Sequence, residues 1–186
     1  MISRAYVCPG PGTGGTAQAA PVPEGLGLIP RLRLRGMHVS FVCTGNICRS
    51  PVAALVFREW LSREGLSGHV RVSSAGTGGW HAGDPADPRA LKTLADNGYP
   101  VDHVAAQVGA DHLDADLLVA LDSGHARALR RMADPDRVRL LRSFDPDADS
   151  TDVPDPYYGD AAGFDEVLVM TEAAMPGLVA WVRERL

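Results

Sequence analysis

Short apolar runs alternate with stretches of helical periodicity along the chain from Met37 onward. The apolar runs predict four β-strands, at residues 38–42, 70–72, 116–121 and 138–141. Apolar positions spaced by three or four predict helices over residues 50–64, 88–97, 123–133 and 163–186. This alternation predicts an α/β fold of three layers, a four-stranded parallel sheet with helices on both faces.

Two features of the pattern locate the expected site. Ser50 and Pro51 stand at the start of the first predicted helix, and serine at the N-cap followed by proline is a typical helix start. Ligands of open parallel sheets bind beyond the carboxyl ends of the strands. We therefore expect the functional loop between residues 42 and 51.

Residues 1–36 differ from the rest of the chain. They contain five prolines and seven glycines, and few large apolar residues that could form a core. We expect a flexible extension there, followed by one domain over residues 37–186. Met37 directly precedes the first predicted strand and is an alternative translation start.

Composition excludes several classes of function. Of the 186 residues 45% are hydrophobic and 22% charged, which is typical of a globular protein. No apolar run approaches the roughly 20 residues that span a bilayer. A net charge of −5 argues against a nucleic-acid partner. Three cysteines are an odd number, unlike a secreted disulfide framework, so we expect a cytoplasmic protein.

The turn after the first strand, Val42-Cys-Thr-Gly-Asn-Ile-Cys-Arg-Ser-Pro51, contains the residue types of an oxyanion site. Gly45 and Asn46 readily adopt positive φ, which lets successive backbone N–H groups point into one concavity. The following helix directs its positive dipole end to the same place. The planar fork of Arg49 can hold two oxygens of a tetrahedral anion.

Cys43 would lie beneath such an anion. An ordinary thiol is only a few per cent ionised at neutral pH, whereas the amides, Arg49 and the Ser50 hydroxyl would favour the thiolate. The pattern therefore predicts a nucleophilic cysteine, with a buried structural cysteine as the alternative. The Gly-Lys-Ser/Thr ending of a nucleotide-binding loop is missing.

A phosphoester leaving group needs a proton, and the stretch Asp155-Pro-Tyr-Tyr-Gly159 offers a donor. Tyr157 and Tyr158 would flank a flat substrate and shield the Asp155 carboxyl group. The remaining aspartates of this loop are expected to be solvated turn residues: Asp145, Asp147, Asp149, Asp152 and Asp160.

With both motifs in view, residues 37–186 resemble the low-molecular-weight protein tyrosine phosphatases. The resemblance implies hydrolysis through a phosphocysteine without metal or other cofactor. It makes Cys43 the nucleophile, and Arg49 the holder of the equatorial oxygens. Asp155 becomes the general acid and then the base for water. The phosphate-binding residues it implies are Thr44, Gly45, Asn46, Ile47, Cys48 and Ser50, with Ser50 hydrogen-bonded to Cys43.

The resemblance also assigns supporting roles. A polar network around Asn46 and Ser50 would include Ser74 and His103. The wall of the substrate pocket would comprise Trp80, His81, Tyr157 and Tyr158. Under oxidation Cys48 would pair reversibly with Cys43, which would protect the nucleophile from sulfinic acid.

Other kinds of protein are compatible with the same loop. Arsenate reductases of this fold need further cysteines downstream, and none follows Cys48. Protein-arginine phosphatases tend to have a small polar residue where this chain has Ile47, and they lack the Tyr157–Tyr158 pair. A non-catalytic phosphotyrosine-binding module and a small-molecule phosphatase also remain open. We expect a phosphotyrosine protein as substrate, and a monomer or weak self-association.

Overall fold

The computed structural model describes residues 36–186, so the expected extension and Cys8 lie outside the described residues. Within this range the strands are β1 (Met37–Cys43), β2 (Val70–Gly76), β3 (Leu117–Ala120) and β4 (Val138–Leu140). The α-helices are α1 (Arg49–Arg63), α2 (Pro88–Asp96), α3 (Ala110–Leu113), α4 (Ser123–Leu129) and α5 (Ala161–Arg183). Short 3₁₀ helices span Pro135–Arg137 and Leu141–Phe144.

The four strands form one parallel sheet in the order β2-β1-β3-β4. Val39 of β1 pairs with Val72 on one side and with Leu117 on the other. The chain order therefore reverses direction between β1 and β3, which places a crevice at the carboxyl end of β1. The predicted α/β fold is confirmed.

Each face of the sheet packs against helices because side chains alternate along a strand. Val39 and Phe41 point into the larger core with α1 and α5, where Phe41 meets Phe57 edge to face at 5.6 Å between ring centroids. Val42 and Leu118 point into a smaller core with α4. Among the helices of residues 36–186, none has the length and apolarity of a membrane crossing.

The structure corrects several element boundaries. β2 runs on to Gly76, beyond the predicted end at residue 72, because it pairs with β1 along seven residues despite its polar serines. α4 ends at Leu129 rather than at residue 133. α3 was not predicted from the pattern. Its four residues include none that is buried, so no apolar periodicity marks it.

The expected capping role of Ser50 is wrong. Helix α1 begins at Arg49, its N-cap is Cys48, and no side chain caps it. The Ser50 hydroxyl is fully buried and turns instead toward the loop that precedes the helix. The first turn of α1 is thereby part of the site as well as of the scaffold.

Candidate active site

The loop of residues 43–50 joins β1 to α1 at the carboxyl edge of the sheet. Asn46 is the one non-glycine among residues 36–186 with positive φ, at 57°. Its backbone N–H turns inward and donates to Sγ of Cys43 at 3.3 Å. Gly45, contrary to expectation, does not adopt positive φ. A Cβ there would lie 3.1 Å from the His81 ring, which is closer than an ordinary van der Waals contact.

Cys43 is the last residue of β1 and is 2% exposed. Its Sγ lies 3.0 Å from Oγ of Ser50. Ser50 Oγ also accepts a hydrogen bond from Nδ2 of Asn46 at 2.8 Å. A hydroxyl that already accepts from an amide can donate its own proton, and the acceptors within reach are the Cys43 sulfur at 3.0 Å and the carbonyl oxygen of Ala75 at 3.4 Å.

Asn46 is the centre of the polar network beneath the loop. Its Nδ2 also donates to Ser74 Oγ at 3.0 Å, and its Oδ1 accepts from the backbone N–H of Ala106 at 2.9 Å. Its carbonyl oxygen lies 2.8 Å from Nε2 of His103. Burial lowers the pKa of His103, so this ring is neutral and donates from Nε2 to the carbonyl. The structure thus brings together the four side chains expected in this network.

Arg49 is 3% exposed and its guanidinium lies between two carboxylates. Nη1 donates to Oδ2 of Asp122 at 2.9 Å and to the carbonyl of Val153 at 3.2 Å. Nη2 donates to Oδ2 of Asp155 at 2.8 Å and to Oγ1 of Thr44 at 3.3 Å. These bonds fix the orientation of the fork at the mouth of the loop.

A cavity of ≈ 380 Å³ opens above Cys43. Its lining is Cys43, Thr44, Gly45, Ile47, Cys48, Arg49, Trp80, His81, Asp155, Tyr157 and Tyr158. The structure therefore brings the thiol and the arginine of one loop into the same pocket as a carboxyl group that is 106 residues from Arg49 in sequence. Asn46, Ser50, Ser74 and His103 are not part of the lining and form the network described above.

Residues 38–186 match the low molecular weight phosphotyrosine protein phosphatase family. This chain belongs to that family. A Mycobacterium tuberculosis protein called low molecular weight protein-tyrosine phosphatase A is 58% identical over 153 residues, which cover 81% of this chain and 94% of the relative. A Streptomyces coelicolor low molecular weight protein-tyrosine-phosphatase is 56% identical, covering 80% and 95%.

Solved structures agree with this family assignment. YfkJ from Bacillus subtilis is 36% identical with a TM-score of 0.77, covering 82% of this chain and 98% of that protein. YwlE of Bacillus subtilis, named an arginine phosphatase, is 28% identical with a TM-score of 0.71, covering 80% of this chain and 97% to 99% of that protein in two structures. The family fold therefore includes a phosphatase named for arginine, which bears on the choice of substrate.

In this family member Asp155 is not shielded as expected. Its side chain is 44% exposed and pairs with Arg49. Oδ1 accepts the backbone N–H of Tyr157 at 3.2 Å. Tyr157 and Tyr158 stack edge to face at 4.9 Å, but they are 40% and 94% exposed. The tyrosines stand at the pocket rim, where they can flank a ligand without covering the carboxylate.

Another part of the pocket lining is formed by Trp80 and His81. Trp80 is 78% exposed. Its ring lies so close to Gly78 that a Cβ there would meet it at 1.8 Å. His81 Nδ1 lies 3.2 Å from Asp84 Oδ2. Glycine at position 78 is therefore what allows the indole ring to lie on this side of the pocket.

Cys48 lines the same pocket as Cys43, and both thiols are free. Cys48 is 5% exposed. Burial, with smaller contributions from Asp87 and Cys43, raises the pKa of Cys48 to about 12. Cys48 is therefore a neutral and weakly nucleophilic thiol at physiological pH.

Three aspartates assigned to solvated turns have structural partners instead. Asp145 forms a buried ion pair with Arg142 at 2.7 Å. Asp152 accepts both the backbone N–H and the hydroxyl of Ser123 at 2.9 Å. Asp160 is the N-cap of α5. Asp147 and Asp149 are exposed, although Asp149 contacts Arg142 at 3.3 Å.

The sequence reasoning missed Asp122 and Gly76. Asp122 follows the apolar run of β3, at the same sheet edge as Cys43, and this position was a usable signal. Gly76 ends β2, where a Cβ would lie 2.7 Å from the carbonyl oxygen of Thr44. No local pattern marks such a contact between strands that are far apart in sequence.

Proposed function

We propose that this chain hydrolyses phosphotyrosine in proteins through a phosphocysteine formed on Cys43. The observation that supports it is the convergence of Cys43, Arg49 and Asp155 on one pocket. Each has the chemistry that one step of phosphate monoester hydrolysis needs. All the proposed steps use groups of this chain alone.

The first step transfers the phosphoryl group. With the phosphate seated on the amides of residues 44–49, the Cys43 thiolate attacks phosphorus and the P–O bond to the tyrosine breaks. The guanidinium of Arg49 exchanges hydrogen bonds to its present partners, such as that from Nη2 to Asp155, for bonds to equatorial oxygens, where charge is held in the transition state. Asp155 delivers its proton to the departing phenolate oxygen, so tyrosine leaves neutral.

The second step regenerates the enzyme. Asp155, now a carboxylate, accepts a proton from a water molecule that attacks the phosphocysteine. The P–S bond breaks, and the thiolate leaves with the Ser50 hydroxyl 3.0 Å away to stabilise it. Inorganic phosphate departs and Asp155 holds the proton for the next turnover.

The pocket walls favour a flat aromatic substrate. Four side chains with rings line it, Trp80, His81, Tyr157 and Tyr158, and Ile47 lines the pocket without offering a side-chain hydrogen bond. An aromatic ring between such walls buries both of its faces. A phosphoarginine substrate would instead present a charged guanidinium to the apolar side chain of Ile47.

The test compares kcat/KM on phosphotyrosine and phosphoarginine peptides of the same sequence, with a chelator present. We expect a large preference for phosphotyrosine that survives the chelator and disappears in Cys43→Ser. A preference for phosphoarginine would retain the chemistry and reject the substrate. Full activity in Cys43→Ser would reject the mechanism, and binding without turnover would identify a binding module.

We further propose that Cys48 protects the nucleophile. Peroxide converts the Cys43 thiolate to a sulfenic acid, which condenses with the Cys48 thiol to give a disulfide and water. The support is that both thiols line one pocket. After a peroxide pulse, thiol reductant should restore less activity to Cys48→Ser than to the parent. Equal recovery would reject the proposal.

A cytoplasmic location and a monomeric or weakly associating state complete the proposal. Two free cysteines in one pocket suit a reducing compartment. Fractionation of the native cells with an antibody tests the location, and sedimentation at several concentrations tests the state of association. Recovery outside the cell, or a stable oligomer, would contradict these two statements.

A further inference from the structure

His125 is a buried histidine behind the pocket that the proposed mechanism does not use. It is 5% exposed and lies in the first turn of α4, which follows β3. Its Nε2 is 2.9 Å from Oγ1 of Thr44. Its Nδ1 is 3.0 Å from Oδ1 of Asp122, although without the alignment of a hydrogen bond. The same carboxylate oxygen accepts the backbone N–H of His125 at 2.8 Å.

The two neighbours of this ring are also two of the four hydrogen-bond partners of Arg49. Asp122 receives Nη1 of Arg49, and Thr44 receives Nη2. His125 thus contacts one partner on each arm of the guanidinium fork. A side chain in this position can influence where Arg49 points without touching the substrate.

Only one neutral tautomer is consistent with these contacts. If Nδ1 carried the lone pair, that lone pair would face a carboxylate oxygen at 3.0 Å in a buried setting, which is repulsive. With the proton on Nδ1, Nε2 accepts the hydroxyl proton of Thr44. The oxygen of Thr44 then keeps its lone pairs for Nη2 of Arg49.

We propose that His125, as the Nδ1-protonated neutral ring, is a positioning residue that holds Thr44 and Asp122 in the arrangement that directs Arg49 at the phosphate. The proposal rests on the proposed function for its catalytic meaning. The hydrogen-bond arrangement and the binding of phosphate can be measured without turnover.

The charges around the ring agree with a neutral histidine. Burial is the largest influence and lowers the pKa of His125. Arg49 also lowers it, whereas Asp122, Asp155 and Asp152 act in the opposite direction. Protonation would make Nε2 a donor, so Thr44 could no longer donate its proton to the ring. It would also place a second cation beside Arg49.

The tautomer is tested on the unmodified chain by long-range ¹H–¹⁵N NMR of the histidine rings, assigned with His125→Gln. At pH 7 we expect the Nδ1 of His125 to be protonated and its Nε2 to be unprotonated. His103, which donates from Nε2, should show the reverse pattern and serves as the internal control. A protonated Nε2 on His125 would overturn the proposal.

The positioning role is tested by the affinity for inorganic phosphate, measured by calorimetry on folded variants. His125→Leu should weaken binding about tenfold, the worth of one buried hydrogen bond. In a Thr44→Val background, where the ring has no hydroxyl to hold, the same change should cost distinctly less. Purely additive losses, or unchanged affinity in His125→Leu, would overturn the proposal.

A variant at another histidine tests whether the effect depends on the position of His125 or on the loss of any histidine. His69 is exposed and precedes β2 at the opposite, amino-terminal edge of the sheet, so His69→Gln should leave phosphate affinity unchanged. If the parent chain bound phosphate but hydrolysed no phosphotyrosine, the proposed function would fail while these measurements still decided the role of His125.

Discussion

The loop of residues 43–50 and the loop of residues 153–160 meet at one pocket but are built differently. In the first, Cys43, Asn46, Arg49 and Ser50 are each at most 3% exposed. In the second, Asp155, Tyr157, Tyr158 and Gly159 are all exposed. A site that stabilises charge works best when its dipoles are fixed beforehand, whereas a proton donor must reach the substrate and let it enter.

The exposed loop depends on a small number of anchors. Arg89 in α2 donates from Nη1 to the carbonyl of Gly159 at 2.9 Å and from Nη2 to that of Tyr157 at 3.1 Å. The same guanidinium is held by Asp87 and lies 4.6 Å above the ring of Phe164. The backbone N–H of Asp87 in turn donates to the carbonyl of Ile47 at 2.8 Å. Asp87 and Arg89 therefore connect the buried loop to the exposed one.

The largest expected effect comes from breaking the buried loop with Arg49→Lys. Lysine keeps the charge but loses the planar fork, so kcat/KM on a phosphotyrosine peptide should fall about 10³-fold. Arg142→Lys is the matched control, since Arg142 is also a buried arginine between two aspartates but is absent from the pocket. Equal losses of kcat/KM in the two folded variants would show that the loss in Arg49→Lys comes from disturbing a buried ion pair and not from lost phosphate binding.

Next in size is Asp155→Asn in the exposed loop. An amide cannot donate a proton to the leaving oxygen, so kcat/KM on phosphotyrosine, which reports the first phosphoryl transfer and not the later attack of water, should fall about 10²-fold. The loss should shrink with an aryl phosphate whose phenol is far more acidic than tyrosine, because that leaving group needs no proton. The exposed Asp147→Asn should match the parent. A loss that is the same for both leaving groups would argue against a general acid.

A smaller effect is expected for Arg89→Met, which keeps an unbranched side chain beside Phe164 but removes the guanidinium, with its two bonds to the exposed loop and its bonds to Asp87. Asp155 would then be less well placed, and kcat on phosphotyrosine should fall about tenfold. Affinity for inorganic phosphate should stay the same, because the buried loop keeps its own bonds. The exposed Arg131→Met is the control. A weakened phosphate affinity would mean that the two loops are not separable.

The difference between the loops also explains what the sequence could predict. The buried loop is continuous in sequence. The pattern of a strand, a turn and a helix therefore predicts both its residues and its place at the carboxyl edge of the sheet. Its surroundings are not continuous. Asp122 is 73 residues from Arg49, and Arg89 is 68 residues from Tyr157. The packing of the whole sheet brings these pairs together, and no local periodicity encodes it.

The smallest expected effect concerns the link between the two loops that Asp87 and Arg89 form. It appears in thermal stability rather than in catalytic rate. The hydrogen bonds from Arg89 lower the pKa of Asp87 below its ordinary value of 3.8. A carboxyl group whose pKa is lowered by folding stabilises the fold. The stabilisation is complete at pH values above the pKa of the group in the unfolded chain, and it is lost as the pH falls through the pKa in the folded state. Asp87→Asn can still cap α2 through its side-chain oxygen, so the variant isolates the charge.

Thermal unfolding of parent and Asp87→Asn should therefore differ by a few degrees in Tm at pH 7. The difference should narrow as the pH falls below about 4, where Asp87 of the unfolded parent takes up a proton while the folded parent still holds the carboxylate, and it should be lost below the lowered folded pKa. A gap that stays constant down to pH 2 would assign the loss to packing instead of to the ion pair. If Tm falls at pH 7 while kcat does not, the link holds the loops together without setting the position of Asp155.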